Sequence, residues 1–181
     1  KCTPDSVSWG WIAADCQPVL RVKPEQAIRI DTVTHQGINT AKDPVAFFGA
    51  AGIAPNEVLP EAKEIYGKVR REGKAGPHLL TGPTYIEGAV PGDMLEVRVL
   101  DVEIRTAYGV NSTGPGWGAA PDLLDKPAAK IIRLDLGRNV ALFAPSVEVP
   151  LAPFMGIVAV APPSETRRVS TKPPGPFGGN I

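Results

Sequence analysis

With 20 prolines and 19 glycines among 181 residues, this chain offers few uninterrupted stretches in which a long helix could grow. Proline lacks a backbone N–H and clashes inside helices, and glycine loses more freedom on ordering than any other residue. Together the two make about a fifth of the sequence, below the roughly 25–30% of low-complexity chains. Apolar runs lie between the breakers, and short apolar runs bounded by turn residues are strand signals. The expectation is one mainly β, turn-rich domain over residues 1–181, sandwich- or barrel-like, with one or two short helices. No internal repeat and no clear linker interrupts it.

Hydrophobic residues make 43% of the chain and the formal net charge is zero, so one sizeable core is within reach. Bulk charge recruits neither nucleic acid nor an anionic membrane. No run approaches the roughly 18–20 apolar residues of a spanning helix. Neither nucleic acid nor membrane is therefore expected as a partner.

Residues 19–31 (VLRVKPEQAIRID) alternate on both sides of Pro24, Glu25 and Gln26, which predicts a hairpin or bent strand pair. Asp43 before Pro44 signals a helix start and Gly52 a stop, around a short apolar stretch over 45–51. Asn56 caps a second helix predicted over 57–71, where Val58, Leu59, Ala62, Ile65, Tyr66 and Val69 fall at helical spacing. From His78 the period switches to strands at 79–81 and 84–87, divided by Gly82 and Pro83. A turn at Pro91, Gly92 and Asp93 feeds 94–105, whose alternation shifts register near Leu100 and Asp101 and so predicts a bulged strand. Residues 106–129 read as loop, and 130–136, 140–144, 147–150 and 156–161 as further strands.

The sequence begins at Lys1 without methionine, which implies processing, and Cys2 and Cys16 are its two cysteines. Paired, they would close a loop worth roughly 3 kcal/mol in the chain-entropy picture and point to a periplasmic or secreted protein. As two thiols they carry no such message. At the other end, PPGPFGGNI (173–181) is a stiff proline stretch followed by a double-glycine turn, chemistry that usually leads into another element. Such an end reads either as a flexible terminus or as one part of a larger protein divided at a functional loop.

Three stretches settle that choice by resemblance: GPHLLTGP (76–83) running through YIEGA (85–89) to PGD (91–93), VPLAPFMG (149–156) with VAVAPP (158–163), and PPGPFGGN (173–180). With EVLP (57–60) and DTV (31–33), they resemble the acetamidase/formamidase family of amide hydrolases. The resemblance implies a hydrolase of small linear or cyclic amides, with a second half after the Gly-Gly-Asn turn that carries a Gly, Asp, His and Glu-rich motif. Some members bind a divalent metal, which leaves zinc and calcium both open for this chain. On that basis the chain is the N-terminal part of a two-part enzyme. Its expected partners are a second polypeptide with the C-terminal half, in a higher oligomer, and a small amide substrate. The division would arise by cleavage, self-cleavage included, or from separate chains.

Amide hydrolysis needs a nucleophile, an oxyanion stabiliser and a proton donor for the leaving amine. No Gly-x-Ser-x-Gly elbow occurs, and neither cysteine stands near a histidine in sequence. The family resemblance implies instead a metal-bound water, serving as nucleophile source beside a Lewis acid. His35 lies at a strand end before Gln36 and Gly37, and relatives with a Thr or Ser, His, Gly pattern there make it the first candidate for metal ligand or general acid/base, against an ordinary loop histidine. Asp31 could join it as a ligand or merely cap the strand. Glu87, flanked by apolar residues, is either an acid/base group or a solvent-facing carboxylate. His78 is read as structural and Asp93 as a turn residue.

Asn111 and Trp117 lie in the longest irregular stretch, where loops on β scaffolds often line sites. They could wall a pocket for a small amide or pack on the partner half. Phe177, Gly178 and Gly179 of the terminal turn are substrate-contact candidates, and Asn180 a metal ligand through its carbonyl oxygen or a left-handed turn residue. Relatives with His at the position of Phe177 mark where this chain departs from the pattern. The competing function is a non-catalytic β-rich module, binding a ligand or partner on the same scaffold.

Overall fold

A computed structural model describes residues 1–39 and 42–180, leaving the side chain of Asn180 outside the description. In chain order the first elements are β1 (Val7–Trp9), β2 (Trp11–Ala13), β3 (Leu20–Val22), α1 (Pro44–Gly49), α2 (Pro60–Lys68), β4 (Leu79–Thr81) and β5 (Thr84–Ile86). There follow β6 (Tyr108–Thr113), β7 (Ala128–Asp135), β8 (Val140–Ala144), β9 (Val147–Pro150), β10 (Ile157–Ala159), β11 (Arg168–Ser170) and β12 (Gly178–Asn180). The chain is mainly β with two short helices, as the spacing of its breakers predicts. No helix among the described residues is long and apolar enough to cross a membrane.

These elements fall into two compact units. The first comprises Lys1–Pro44, Pro60–Val102 and Phe154–Ile181. Its strands are three residues each and pair across long stretches of sequence. β1 runs antiparallel to β4 with Val7 opposite Thr81, and β2 antiparallel to β11 with Trp11 opposite Ser170. β10 and β12 pair antiparallel, Ile157 opposite Asn180. β3 pairs in parallel with β5, Leu20 opposite Thr84. α2 buries Ala62 and Ile65 one turn apart, the stripe expected of a helix with one covered face.

The second unit comprises Val45–Leu59 and Glu103–Pro153. Here four strands form an antiparallel meander in the order β6-β7-β8-β9. Its central hairpin turns at Asn139, whose φ of 56° suits asparagine better than most side chains. Asp135 Oδ1 accepts from the Arg138 N–H at 3.0 Å in the same turn. The ladder between β8 and β9 slips between Leu142 and Ala144. Phe48, Ile53, Val58 and Tyr108 make the core cluster, with Phe47, Val110 and Ile131 packed against it. Arg133 of β7 is anchored to Glu57 and donates to the Gly52 carbonyl at 2.6 Å.

Several sequence expectations need correction. Residues 19–31 form no hairpin: only β3 is a strand, and it pairs with β5. The second helix starts at Pro60, because proline is tolerated in a first turn and not in the interior. Glu57, predicted inside that helix, instead closes a turn in which its N–H reaches the Ala54 carbonyl at 2.9 Å. Part of the predicted loop, Tyr108–Thr113, is β6, its alternation hidden among Gly, Ser and Thr. Residues 94–105 form no ladder at all. The terminal double glycine is a strand and not a turn: Gly178 has an extended φ of −173°. Glycine is needed there for closeness, since a Cβ would lie 2.9 Å from the Ala159 Cβ. No disulfide joins Cys2, which is buried, and Cys16, which is exposed.

Candidate active site

The site of the first unit is built on Gly10, between Trp9 and Trp11. Its φ of +79° carries the chain from β1 to β2, and a Cβ there would sit 2.3 Å from the Gly76 carbonyl oxygen. The Gly10 N–H donates to the His78 carbonyl at 2.9 Å. Its own carbonyl accepts from both Gly76 and Thr171 at 3.0 Å. Trp9 Nε1 adds a bond to the Pro77 carbonyl at 3.1 Å. Three stretches distant in sequence are thus tied at one residue. Gly76 closes the junction, because a Cβ on it would lie 2.1 Å from Thr171 Oγ1.

His78 is fixed on this node, its Nδ1 3.1 Å from the Thr171 carbonyl oxygen. A carbonyl only accepts, so Nδ1 carries the proton and the lone pair is left on Nε2. Burial pushes the His78 pKa below its ordinary value, and Lys172 acts in the same direction while the Thr171 carbonyl opposes both. His35 stands beside it, ring centroids 5.7 Å apart and nearly perpendicular. Its carbonyl accepts from the Ile38 and Asn39 N–H groups at 3.0 Å, so a tight turn holds it. Burial first, then His78 and Arg71, lowers the His35 pKa to about 4. Arg71 is itself held by two bonds to the Ala75 carbonyl.

Both imidazoles are therefore neutral at neutral pH. A histidine near pKa 4 is a weak general base under those conditions. Neutral rings suit hydrogen bonding to substrate or ligation, each offering one N–H and one lone pair. Thr171 Oγ1 is buried within the same node without a hydrogen-bond partner among the described residues. No three His, Cys, Asp or Glu side chains among the described residues converge where they could hold a metal ion. Two imidazoles alone do not make a divalent metal site, and they suit zinc better than oxygen-seeking calcium.

The other candidates are placed as follows. The carboxylate of Asp31 is taken by Arg29 Nε at 3.3 Å. Glu87 is exposed and its N–H extends the β3–β5 pairing to the Val22 carbonyl at 2.8 Å. Phe177 accepts from the Val160 N–H at 2.8 Å, and Gly178 and Gly179 lie in β12 against β10. The backbone of Asn180 pairs with Ile157, while the side chain proposed as ligand lies outside the described residues. In the second unit Asn111 is exposed on β6 opposite Lys130. Trp117 folds back on Gly114, whose absent Cβ leaves room for the indole, and 37% of it remains exposed. His35 and His78 are the candidates brought together.

Residues 67–172 match the sequence profile of the acetamidase/formamidase family. The chain belongs to the acetamidase/formamidase family. That match spans the Gly76–His78 side of the node and the Thr171 carbonyl that orients His78. Among solved structures, an acetamidase from Bacillus halodurans is similar with a TM-score of 0.68 and 22% identity, over 99% of this chain and 52% of that one. A predicted acetamidase/formamidase from Thermoanaerobacter tengcongensis is similar with a TM-score of 0.68 and 20% identity, over 99% and 50%. At such identities the likeness is one of fold, and the chain spans about half the length of both. No curated protein matches it.

Sequence reasoning read His78 as structural, named Gly76 only within the stretch 76–83, and singled out neither Gly10 nor Thr171. A glycine between two tryptophans was the available signal for Gly10, because a close backbone approach is a standard use of glycine. Nothing local announces Thr171, whose part is played by its backbone carbonyl.

Proposed function

We propose that this chain is one half of an amide hydrolase acting on small linear or cyclic amides, completed by a second polypeptide that carries the other half. Membership of the acetamidase/formamidase family is the observation that carries the reading. The half-length coverage of the two solved neighbours supports the need for a second part. Within this chain, the neutral His35 and His78 contribute hydrogen bonding or ligation at one side of the site. His78 offers Nε2 in a fixed orientation, and His35 crowds it from the edge. A divalent metal, zinc in preference to calcium, would take its remaining ligands from the partner and supply a Lewis acid and an activated water.

The test is ammonia release from formamide, acetamide and a lactam. The chain is assayed alone and with the polypeptide of its source organism that matches the uncovered half of the neighbours. Hydrolysis only by the pair, lost with His35→Ala while the pair still assembles, is the expected result. Hydrolysis by neither preparation, together with acetamide binding to the chain alone by calorimetry, would establish instead a non-catalytic binding module.

A further inference from the structure

Residues 94–102 carry the pattern of a strand and have no partner. Leu95, Val97 and Val99 alternate with Met94, Glu96, Arg98 and Leu100, the period of a pleated segment with two distinct faces. Leu95, Val97 and Val99 remain about half exposed, Leu100 is 74% exposed and Met94 98%. No backbone–backbone hydrogen bond joins residues 94–102 to any other described residue. Glu96 and Arg98 are occupied with each other at 3.0 Å across the outer face. The segment leaves a row of N–H and C=O groups beside apolar side chains, which is the template on which an added strand docks.

The solved neighbours indicate what would cover it. Each matches this chain over almost its whole length, yet only 52% and 50% of each neighbour is used. Each therefore contains about as much chain again, outside the part that this protein reproduces.

We propose that residues 94–102 are the docking edge for a strand of the second polypeptide, the one carrying the remaining half. The inference rests on the two-part reading of function and names the surface through which the parts meet. Main-chain bonds along the edge would give affinity, and the side chains of Leu95, Val97 and Val99 would fix register by filling the partner's alternate positions.

The experiment is hydrogen exchange of the whole chain. It is measured alone at two concentrations and with the source organism's polypeptide that matches the uncovered half of the neighbours. Complex formation is followed in parallel by sedimentation. Expected are a complex, slowing of the 94–102 amides by about tenfold or more, and at least about tenfold weaker association for Val97→Pro, which removes a main-chain donor. The segment is already unladdered, so Val97→Pro should leave the isolated chain folded. A complex in which 94–102 still exchange freely overturns the docking edge and leaves the two-part reading standing. Protection that appears in the chain alone and rises with its concentration assigns the edge to a second copy, and overturns the proposal. Amide hydrolysis by the chain alone with no complex overturns the two-part reading, and the docking edge falls with it.

Discussion

The meander of residues 108–150 and the segment 94–102 have similar strand-forming sequences and opposite fates. β7 finds β6 on one side and β8 on the other within the same stretch of chain. The Asp135–Arg138 turn bond and left-handed Asn139 deliver β8 into register. Residues 94–102 follow the Pro91-Gly92-Asp93 turn, yet nothing nearby in sequence returns to pair with them. Alternation encodes the ability to be a strand, and a ladder also needs a neighbour at short loop-closure cost. Tyr108, Val110 and Ile131 of the meander belong to or pack against a core cluster, whereas Leu95, Val97 and Val99 pack in none among the described residues and stay about half exposed.

The contrast breaks first if its two sides respond alike to truncation. Phe48→Ala should cost about 3–5 kcal/mol in urea unfolding, because it empties the cluster around Ile53, Val58 and Tyr108. Val97→Ala should change stability by no more than about 0.5 kcal/mol, as an exposed position does. Equal losses would mean that 94–102 is packed after all. A smaller effect comes from the Gly10 node, the first unit's substitute for a meander. Gly10→Ala should cost about 1–3 kcal/mol by overpacking, read as a lower melting temperature with displaced imidazole resonances of His78.

Acidity sharpens the comparison further, because both histidines lie in the first unit. Unfolded, His35 takes up its proton below its ordinary 6.5; folded, only near about 4. Its contribution is therefore intact above pH 6.5 and is lost as the pH falls towards about 4, since the unfolded state binds the proton first. The urea midpoint should decline through that window, and His35→Gln should flatten the decline. Least of all is expected from surface ion pairs. Arg133→Ala should lower the melting temperature slightly by freeing Glu57 and the Gly52 carbonyl. Arg138→Ala should leave it within error, because exposed pairs such as Arg138–Glu148 contribute little.

Local chemistry was legible and long-range chemistry was not. Pro44 starts a helix where the backbone tolerates a missing N–H, the second helix was legible though its start at Pro60 was not, and the strands of residues 79–86 and 128–150 follow from alternation between turn residues. β1, β2, β11 and β12 escaped notice because each is three residues long and is defined by a partner far along the chain. The candidate site shows the same division. His35 stood out as a histidine on a loop, but its neighbour His78 is supplied through Gly10 and Thr171, which act by backbone groups that leave no mark on residue type. The cysteine pairing failed for a related reason: two thiols in one short stretch do not fix where the fold sends them.

The long-range ladders of the first unit also set an order on the ribosome. Trp11–Ala13 cannot complete its pairing until Arg168–Ser170 has been made, and Val7–Trp9 must wait for Leu79–Thr81. The meander of the second unit, by contrast, needs only strands that emerge one after another. During synthesis β2 thus remains without its partner until residue 170 has been made, whereas β1 waits only for residue 81. Their protection in that interval falls to whatever first meets the nascent chain.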